Sequence, residues 1–172
     1  MASDILRFAK EKGASDAVVG ISEGNGLSVS VRCGAIDTIE RNQDKGVGIT
    51  VFIGKKRGNA TTSDFSKSSL RQTVEAAYNI ARFTAADQAA GLPEPELLET
   101  HPQNLSLYYP WEIDTKEAIN IAKRCEQAAF DVDSRISNSE GANVHISHSH
   151  FIAASSDGFM AGYPYSNHSI ST

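Results

Sequence analysis

The sequence predicts an α+β fold: an antiparallel meander of about five strands, packed by two or three helices, with a C-terminal hairpin. The first observation is the strict alternation of apolar and polar residues in "LSVSVRC", residues 27–33, which is typical of a half-buried strand. The second is that further runs of this kind follow one another through short glycine-containing turns, as antiparallel strands do. The third is that two later segments repeat apolar residues at three- and four-residue steps, which predicts helices lying on one face of the sheet.

Size and charge limit the classes of function. The chain, residues 1–172, is 40% hydrophobic, which suits one domain, or one domain and a small part of another. A net charge of −5 argues against a broad nucleic-acid-binding surface, because such surfaces are positive. We expect no membrane span, since no run of about 18 apolar residues exists. The start, "MASDILRFAKEKG", is charged and amphipathic rather than a secretory signal, so a cytoplasmic location is expected.

The first third of the chain is predicted to form one helix and then the sheet. The helix spans residues 3–12 and is ended by Gly13. The period of the apolar residues then changes from 3.6 to 2, which indicates strands. The predicted turns between these strands are "EGNG" (23–26), "CGA" (33–35), "DKG" (44–46) and "GKKRG" (54–58).

The rest of the chain alternates helical, irregular and extended patterns. A helix is predicted from Ser66 to Phe83, and residues 84–110 read as an irregular surface excursion because they contain several prolines. A second helix is predicted to begin at Asp114, where "DTKE" matches a capping box, and to end near Asp131. Two extended arms follow, and "SHSH" (147–150) is placed at the bend of the hairpin that they form.

The cysteines do not indicate a metal site or a disulfide. Cys33 and Cys125 stand where apolar residues fit the local pattern, so both are expected to be buried thiols. No CxxC or Cys/His spacing is present, which makes a disulfide or a zinc pair the weaker alternative.

No catalytic, metal or cofactor-binding residue is assigned. The chain lacks GxGxxG, GxxxxGK[ST] and GxSxG, and no histidine is followed by glutamate. In a continuous strand, His148 and His150 would point to one face and His145 to the other, so at most two could bind one ion. We favour a turn that lifts His148 and His150 into solvent. A metal or peptidase role for this chain is the remaining alternative, and stoichiometric zinc that is lost in His148→Ala would support it.

Many short elements resemble, in order, the PmbA/TldD family, and the resemblance covers essentially the whole chain. They include "ERNQDKGVGI" (40–49), "GKKRGNATTSD" (54–64), "AADQAAGLPEPELL" (85–98), "NSEGANV" (138–144) and "SSDGFMAGYPYSNHS" (155–169). "TTSD" and "ARFTAADQAAGL" are more similar to the PmbA (TldE) branch than to the TldD branch. Family members are much longer, so the resemblance implies an N-terminal fragment.

The resemblance implies a non-catalytic subunit of a TldD/TldE-type zinc metalloprotease complex. The zinc and its HExxxH-type motif are expected in a TldD-like partner, and the substrates are unfolded peptides, in peptide maturation and antitoxin turnover. Gly46, Gly48, Gly54 and Gly58 match the family as fold positions at turns. The alternative that the family's older name suggests is regulation of DNA gyrase by protein–protein contact. Self-association of the fragment is left open.

Overall fold

The computed structural model describes residues 1–99 and 101–172, and it confirms the α+β class and the C-terminal hairpin. Its five strands form one sheet in the order β3-β2-β1-β4-β5. The sheet is therefore not a simple meander, because β4 returns to lie beside β1. The elements are α1 (Ala2–Glu11), β1 (Asp16–Arg32), β2 (Ala35–Ile53), β3 (Lys56–Thr62), α2 (Lys67–Phe83), a 3-10 helix (Pro95–Leu97), α3 (Thr115–Phe130), β4 (Ala142–Ser155) and β5 (Met160–Ser171).

The chain divides into two compact units, and the first comprises residues 1–23, 44–105 and 150–163. Its core lies between the sheet and the helices α1 and α2, as the apolar stripe of α2 predicted. Ser66 is the N-cap of α2, and its hydroxyl accepts the Ser69 N–H at 3.3 Å, so the helix begins one residue after its predicted start. The buried core residues of this unit are Ile5, Phe8, Ala9, Ala17, Val19, Val47, Ile49, Val51, Leu70, Val74 and Ala77.

The second unit comprises residues 24–43, 106–149 and 164–172. Here α3 covers the apolar side of β1 and β4. Asp114 caps α3 as predicted, because its carboxylate accepts the Glu117 N–H at 2.7 Å. The buried apolar residues of this unit are Leu27, Val29, Val31, Ala118, Ala122, Ala142, Val144 and Ile146.

A two-residue turn at Cys33 and Gly34 joins β1 to β2, close to where a turn was predicted. Both residues have positive φ, +47° and +77°, as the tight turns of hairpins require. The turn carries the thiol of Cys33 into solvent, whereas Cys125 is half-buried. The expectation that both thiols are buried is therefore wrong for Cys33, which is a turn residue and not the last core residue of a strand.

Two other predicted turns are wrong, because the chain continues through them as strand. Residues 23–26 lie inside β1, and residues 44–46 lie inside β2. In the second unit, a Cβ on Gly24 would lie 3.1 Å from the His148 carbonyl oxygen, and one on Gly26 would lie 3.2 Å from that of Ile146. These glycines therefore permit close approach to β4, which is another reason for glycine within a strand.

The predicted bend at residues 147–150 is also wrong. β4 continues through them to Ser155, and the hairpin turns between Ser155 and Met160. Gly158 in that turn has a φ of +101°, which favours glycine. The histidines therefore belong to a strand and not to a hairpin tip.

The segment predicted as an irregular excursion, residues 84–110, contains one 3-10 helix among its described residues; Thr100 lies outside them. Its start is held to the β2–β3 turn, since the Asp87 N–H donates to the Lys55 carbonyl at 2.8 Å and the Lys55 ammonium donates to the Ala90 carbonyl at 3.1 Å. Over the described residues, no helix is both long and apolar enough to cross a membrane.

Candidate functional site

A groove of about 580 Å³ lies within the second unit. Its volume is in the range of ligand sites, which are commonly about 300–1,000 Å³. The groove combines an apolar floor with amide side chains and one charged group. The residues that line it are Asn25, Gly26, Leu27, Arg41, Asn42, Gln43, Ile113, Ile146 and His148.

Arg41 is the charged residue of the groove lining. Its guanidinium donates to the Thr115 hydroxyl at 2.7 Å, and it forms no ion pair with any residue in the described ranges. A guanidinium presents five N–H donors in a planar fork, so one bond to a hydroxyl leaves donors available. Arg41 can therefore receive an anion.

His148 lines the same groove from β4. It shares the parity of Val144 and Ile146, both buried, so its ring flanks the core face of the strand. The ring makes edge-on contacts with Tyr108 and His168, each at a centroid distance of 6.0 Å. Its Nε2 atom is buried and has no hydrogen-bond partner among the described residues.

The three clustered histidines do not converge. His145 lies on the other side of β4, where its Nδ1 is 2.9 Å from the Ser28 hydroxyl, and His150 is exposed. Across residues 1–99 and 101–172, no group of three or more His, Cys, Asp or Glu side chains could hold a metal ion. The described side chains therefore do not form a set of zinc ligands, and the resemblance assigns the zinc site to a TldD-like partner.

An open strand edge borders the groove. β3 pairs only with residues Val47–Ile53 of β2, so residues 35–43 have β1 on one side and no described strand on the other. All residues of this stretch are exposed. The outward N–H and C=O groups of such an edge can pair with an added strand. The sequence pattern did not predict this edge, because residues 35–53 were interpreted as two strands joined by a turn. The part of β2 that pairs with β3 could therefore not be told from the part that does not.

The four glycines that were expected at turns occupy different settings. Gly54 lies in the β2–β3 turn with a φ of +57°, whereas Gly46 and Gly48 lie inside β2. Gly58 lies in β3 against the backbone of α2, where a Cβ would lie 3.1 Å from the Ala81 Cα and closer still to the Ala77 carbonyl oxygen and the Ala81 nitrogen. Their importance for the fold stays a prediction.

A buried carboxylate, Glu126, was also missed. Its side chain accepts the backbone N–H groups of Cys33 at 2.7 Å and Gly34 at 2.8 Å, although the residue is only 2% exposed. The pKa of Glu126 lies below its ordinary value of 4.5, and the hydrogen bond from the Gly34 N–H is the largest cause. Hydrogen bonds from Ser139 and Cys33 and the positive charge of Arg32 also lower this pKa, whereas burial of the carboxylate raises it. Its burial could have been predicted, because Glu126 follows Ala118 and Ala122 at four-residue steps and so lies in the buried row of α3.

The unpartnered ring nitrogen leads to a prediction at His148. We expect His148→Phe to leave the free energy of unfolding unchanged or to raise it by about 1 kcal/mol, because it removes an unsatisfied polar atom and keeps the aromatic contacts. His148→Ala should instead lower it by about 2 kcal/mol, because the ring is lost. Thermal unfolding of both variants checks this, and a strong loss of stability in His148→Phe would show that Nε2 has a partner.

Two family models match the chain. The model described as PmbA/TldA metallopeptidase domain 1 matches residues 17–81, and the one described as PmbA/TldA metallopeptidase central domain matches residues 108–172. The chain is 39% identical over 170 residues to the metalloprotease PmbA of Escherichia coli O157:H7, covering 99% of this chain and 38% of that protein. It is 37% identical over 166 residues to the metalloprotease PmbA homolog of Haemophilus influenzae, covering 96% of this chain and 37% of the relative. The chain thus spans less than two fifths of the length of these relatives.

Solved structures share the fold. One described as a modulator of DNA gyrase from Bacteroides thetaiotaomicron has a TM-score of 0.88 at 18% identity, covering 98% of this chain and 39% of that one. TldE from Thermococcus kodakarensis has a TM-score of 0.78 at 17% identity, covering 95% of this chain and 36% of that one. At these identities the likeness concerns the fold alone.

Proposed function

Because the chain belongs to the PmbA/TldD family of metallopeptidases, we propose that it is the non-catalytic N-terminal part of a PmbA (TldE)-like subunit. In this proposal the subunit works with a TldD-like chain, which holds the zinc, on unstructured peptides in the cytoplasm. The role of this part is to hold an extended peptide. When bound, the zinc of the partner would supply the activation of water for peptide hydrolysis.

The observation that carries the proposal is the open edge of β2. An unstructured peptide can add to residues 35–43 as a strand, because their outward backbone groups have no partner strand in the described structure. Strand addition uses backbone groups and is therefore tolerant of sequence. That tolerance suits a protease that acts on unfolded chains of many sequences.

The proposal also explains the mixed charge of the edge. Asp37, Glu40 and Arg41 are all exposed along it. Charged residues on an edge strand oppose uncontrolled aggregation but still leave its backbone accessible. We therefore expect the edge to accept a single flexible chain in preference to a second rigid sheet.

Reconstitution tests this function. The full-length protein that carries this chain and its TldD-like partner are purified, and casein is offered to each alone and to the mixture. We expect the mixture to hydrolyse casein, a chelator to stop the reaction, and this protein alone to be inactive. Chelator-sensitive hydrolysis by this protein alone would overturn the non-catalytic assignment. Hydrolysis by the TldD-like chain alone that is as fast as hydrolysis by the mixture would overturn the need for this subunit.

A further inference from the structure

The groove beside the β2 edge has the chemistry of a carboxylate site. Arg41 brings the positive charge, and no acidic side chain lines the groove. The nearby Asp114 carboxylate caps α3 by accepting the Glu117 N–H and is not part of the lining. A ligand anion would therefore meet a cation and amide groups without a competing carboxylate.

Arg41 is held ready for such an anion. Its bond to the Thr115 hydroxyl, at 2.7 Å, anchors one end of the guanidinium to the start of α3. Its remaining donors have no carboxylate partner in the described structure. A guanidinium fork matches the two oxygens of a carboxylate, and charge-assisted bonds of this kind are stronger than neutral ones.

The floor of the groove favours a carboxylate that is attached to an apolar group. Leu27 and Ile146 are almost fully buried, at 6% and 5% exposure, and Ile113 is partly buried beside them. A phosphate group would suit the groove less well, because one arginine is the charged lining residue and the chain has a net charge of −5. An apolar side chain on the floor and a carboxylate at Arg41 satisfy both parts of the groove.

The groove and the edge share residues. Arg41, Asn42 and Gln43 line the groove and lie at the end of the open stretch 35–43 of β2. We propose that the groove binds the C-terminal carboxylate of an extended peptide whose last residue is aliphatic. This rests on the proposed role in holding peptides and names the group by which one end of the peptide is recognised.

Matched peptides test the proposal. A fluorescently labelled, flexible decapeptide of serine, glycine and threonine that ends in leucine is prepared as the free acid and as the carboxamide. A third peptide carries an internal glutamate and a C-terminal carboxamide. Binding to this chain is followed by fluorescence anisotropy, and we expect the free acid to bind at least about tenfold more tightly than either of the others.

Variants locate the effect. Arg41→Gln should abolish most of the preference for the free acid, whereas Lys123→Gln, the same charge change on an exposed residue of α3 outside the groove, should keep it. Thermal unfolding confirms that both variants are folded. Equal affinity for the free acid and the carboxamide would overturn the proposal, and so would a preference for the free acid that persists in Arg41→Gln. Equally tight binding of the internal-glutamate peptide would also overturn it, because a side-chain carboxylate would then occupy the groove.

These outcomes are separable from failure of the proposed function. If acid and carboxamide bind equally and the reconstituted pair hydrolyses casein, the carboxylate site is overturned and the function stands. If the free acid is preferred through Arg41 but the reconstituted pair is inactive, the groove assignment stands and the role in proteolysis is overturned.

Discussion

Replacing Gly58 with alanine should lower the free energy of unfolding by about 3 kcal/mol, at the upper end of the usual cost of overpacking. The added methyl group would press on the backbone of α2 at Ala77 and Ala81, and a backbone in a helix cannot rotate away as a side chain can. Either α2 must move off β3 or the strand must bend. Both would loosen the packing of α2 in the first unit, where Val74 and Ala77 are almost fully buried.

Gly48→Ala is the matched control. It also lies in a strand, but the nearest atom to an added Cβ is the Thr61 Cγ2, at 4.0 Å. We expect this change to be neutral or to stabilise by up to about 1 kcal/mol, because alanine loses less backbone entropy on folding than glycine. Urea unfolding followed by far-UV circular dichroism measures both variants. Equal midpoints would show that α2 is not held at Gly58 as closely as the structure indicates.

Replacing Glu126 should have the second large effect. Glu126→Ala leaves the Cys33 and Gly34 N–H groups without their acceptor and opens a hole under the β1–β2 turn, so we expect a loss of about 3 kcal/mol at neutral pH. Glu126→Gln keeps the shape but loses the charge, and it should cost about 2 kcal/mol. Glu117→Gln, an exposed residue of the same helix, is the control and should change little.

The effect of Glu126 should depend on pH. Its pKa in the folded chain lies below the ordinary value of 4.5, so the stabilisation is fully present above that value and is lost as the pH falls through the folded pKa. The difference in unfolding free energy between wild type and Glu126→Gln should therefore be constant near neutral pH and shrink below about pH 4. A difference that grew as the pH fell would mean that the carboxyl is protonated in the native state.

Patterns that depend on neighbouring residues in the chain were predictable. The alternation in residues 27–33 led to a real strand, and the Asp114 cap and the stripe of α2 were placed correctly. These predictions are correct because the periodicities of strands and helices, and helix capping, depend on residues close together in the chain. The candidate site depends instead on contacts between segments that are distant in the chain. The position of the Arg41 guanidinium beside Thr115 and the hydrogen bonds of Glu126 to the β1–β2 turn could therefore not be predicted from local patterns.

Glycine was the main source of error. Gly24, Gly26 and Gly46 were interpreted as turn residues, yet all lie within strands. A glycine serves a turn through its permitted φ and a strand through its missing Cβ, and one sequence does not distinguish the two uses. Only the positions with positive φ, such as Gly34 and Gly54, are turn glycines of the expected kind.

The division into two units has a consequence for dissecting the chain. Each unit takes residues from both family-matched segments, since residues 44–81 and 150–163 belong to one unit and residues 24–43 and 108–149 to the other. The buried core of the first unit nevertheless lies within residues 5–77, whereas that of the second unit combines Leu27, Val29 and Val31 from the first matched segment with buried residues of 118–146 from the second. A cut between the two matched segments would therefore have unequal effects: the N-terminal piece would keep the whole core of the first unit, whereas the C-terminal piece would lack the strand β1 on which its own core closes and would become ordered only when the N-terminal piece is added back.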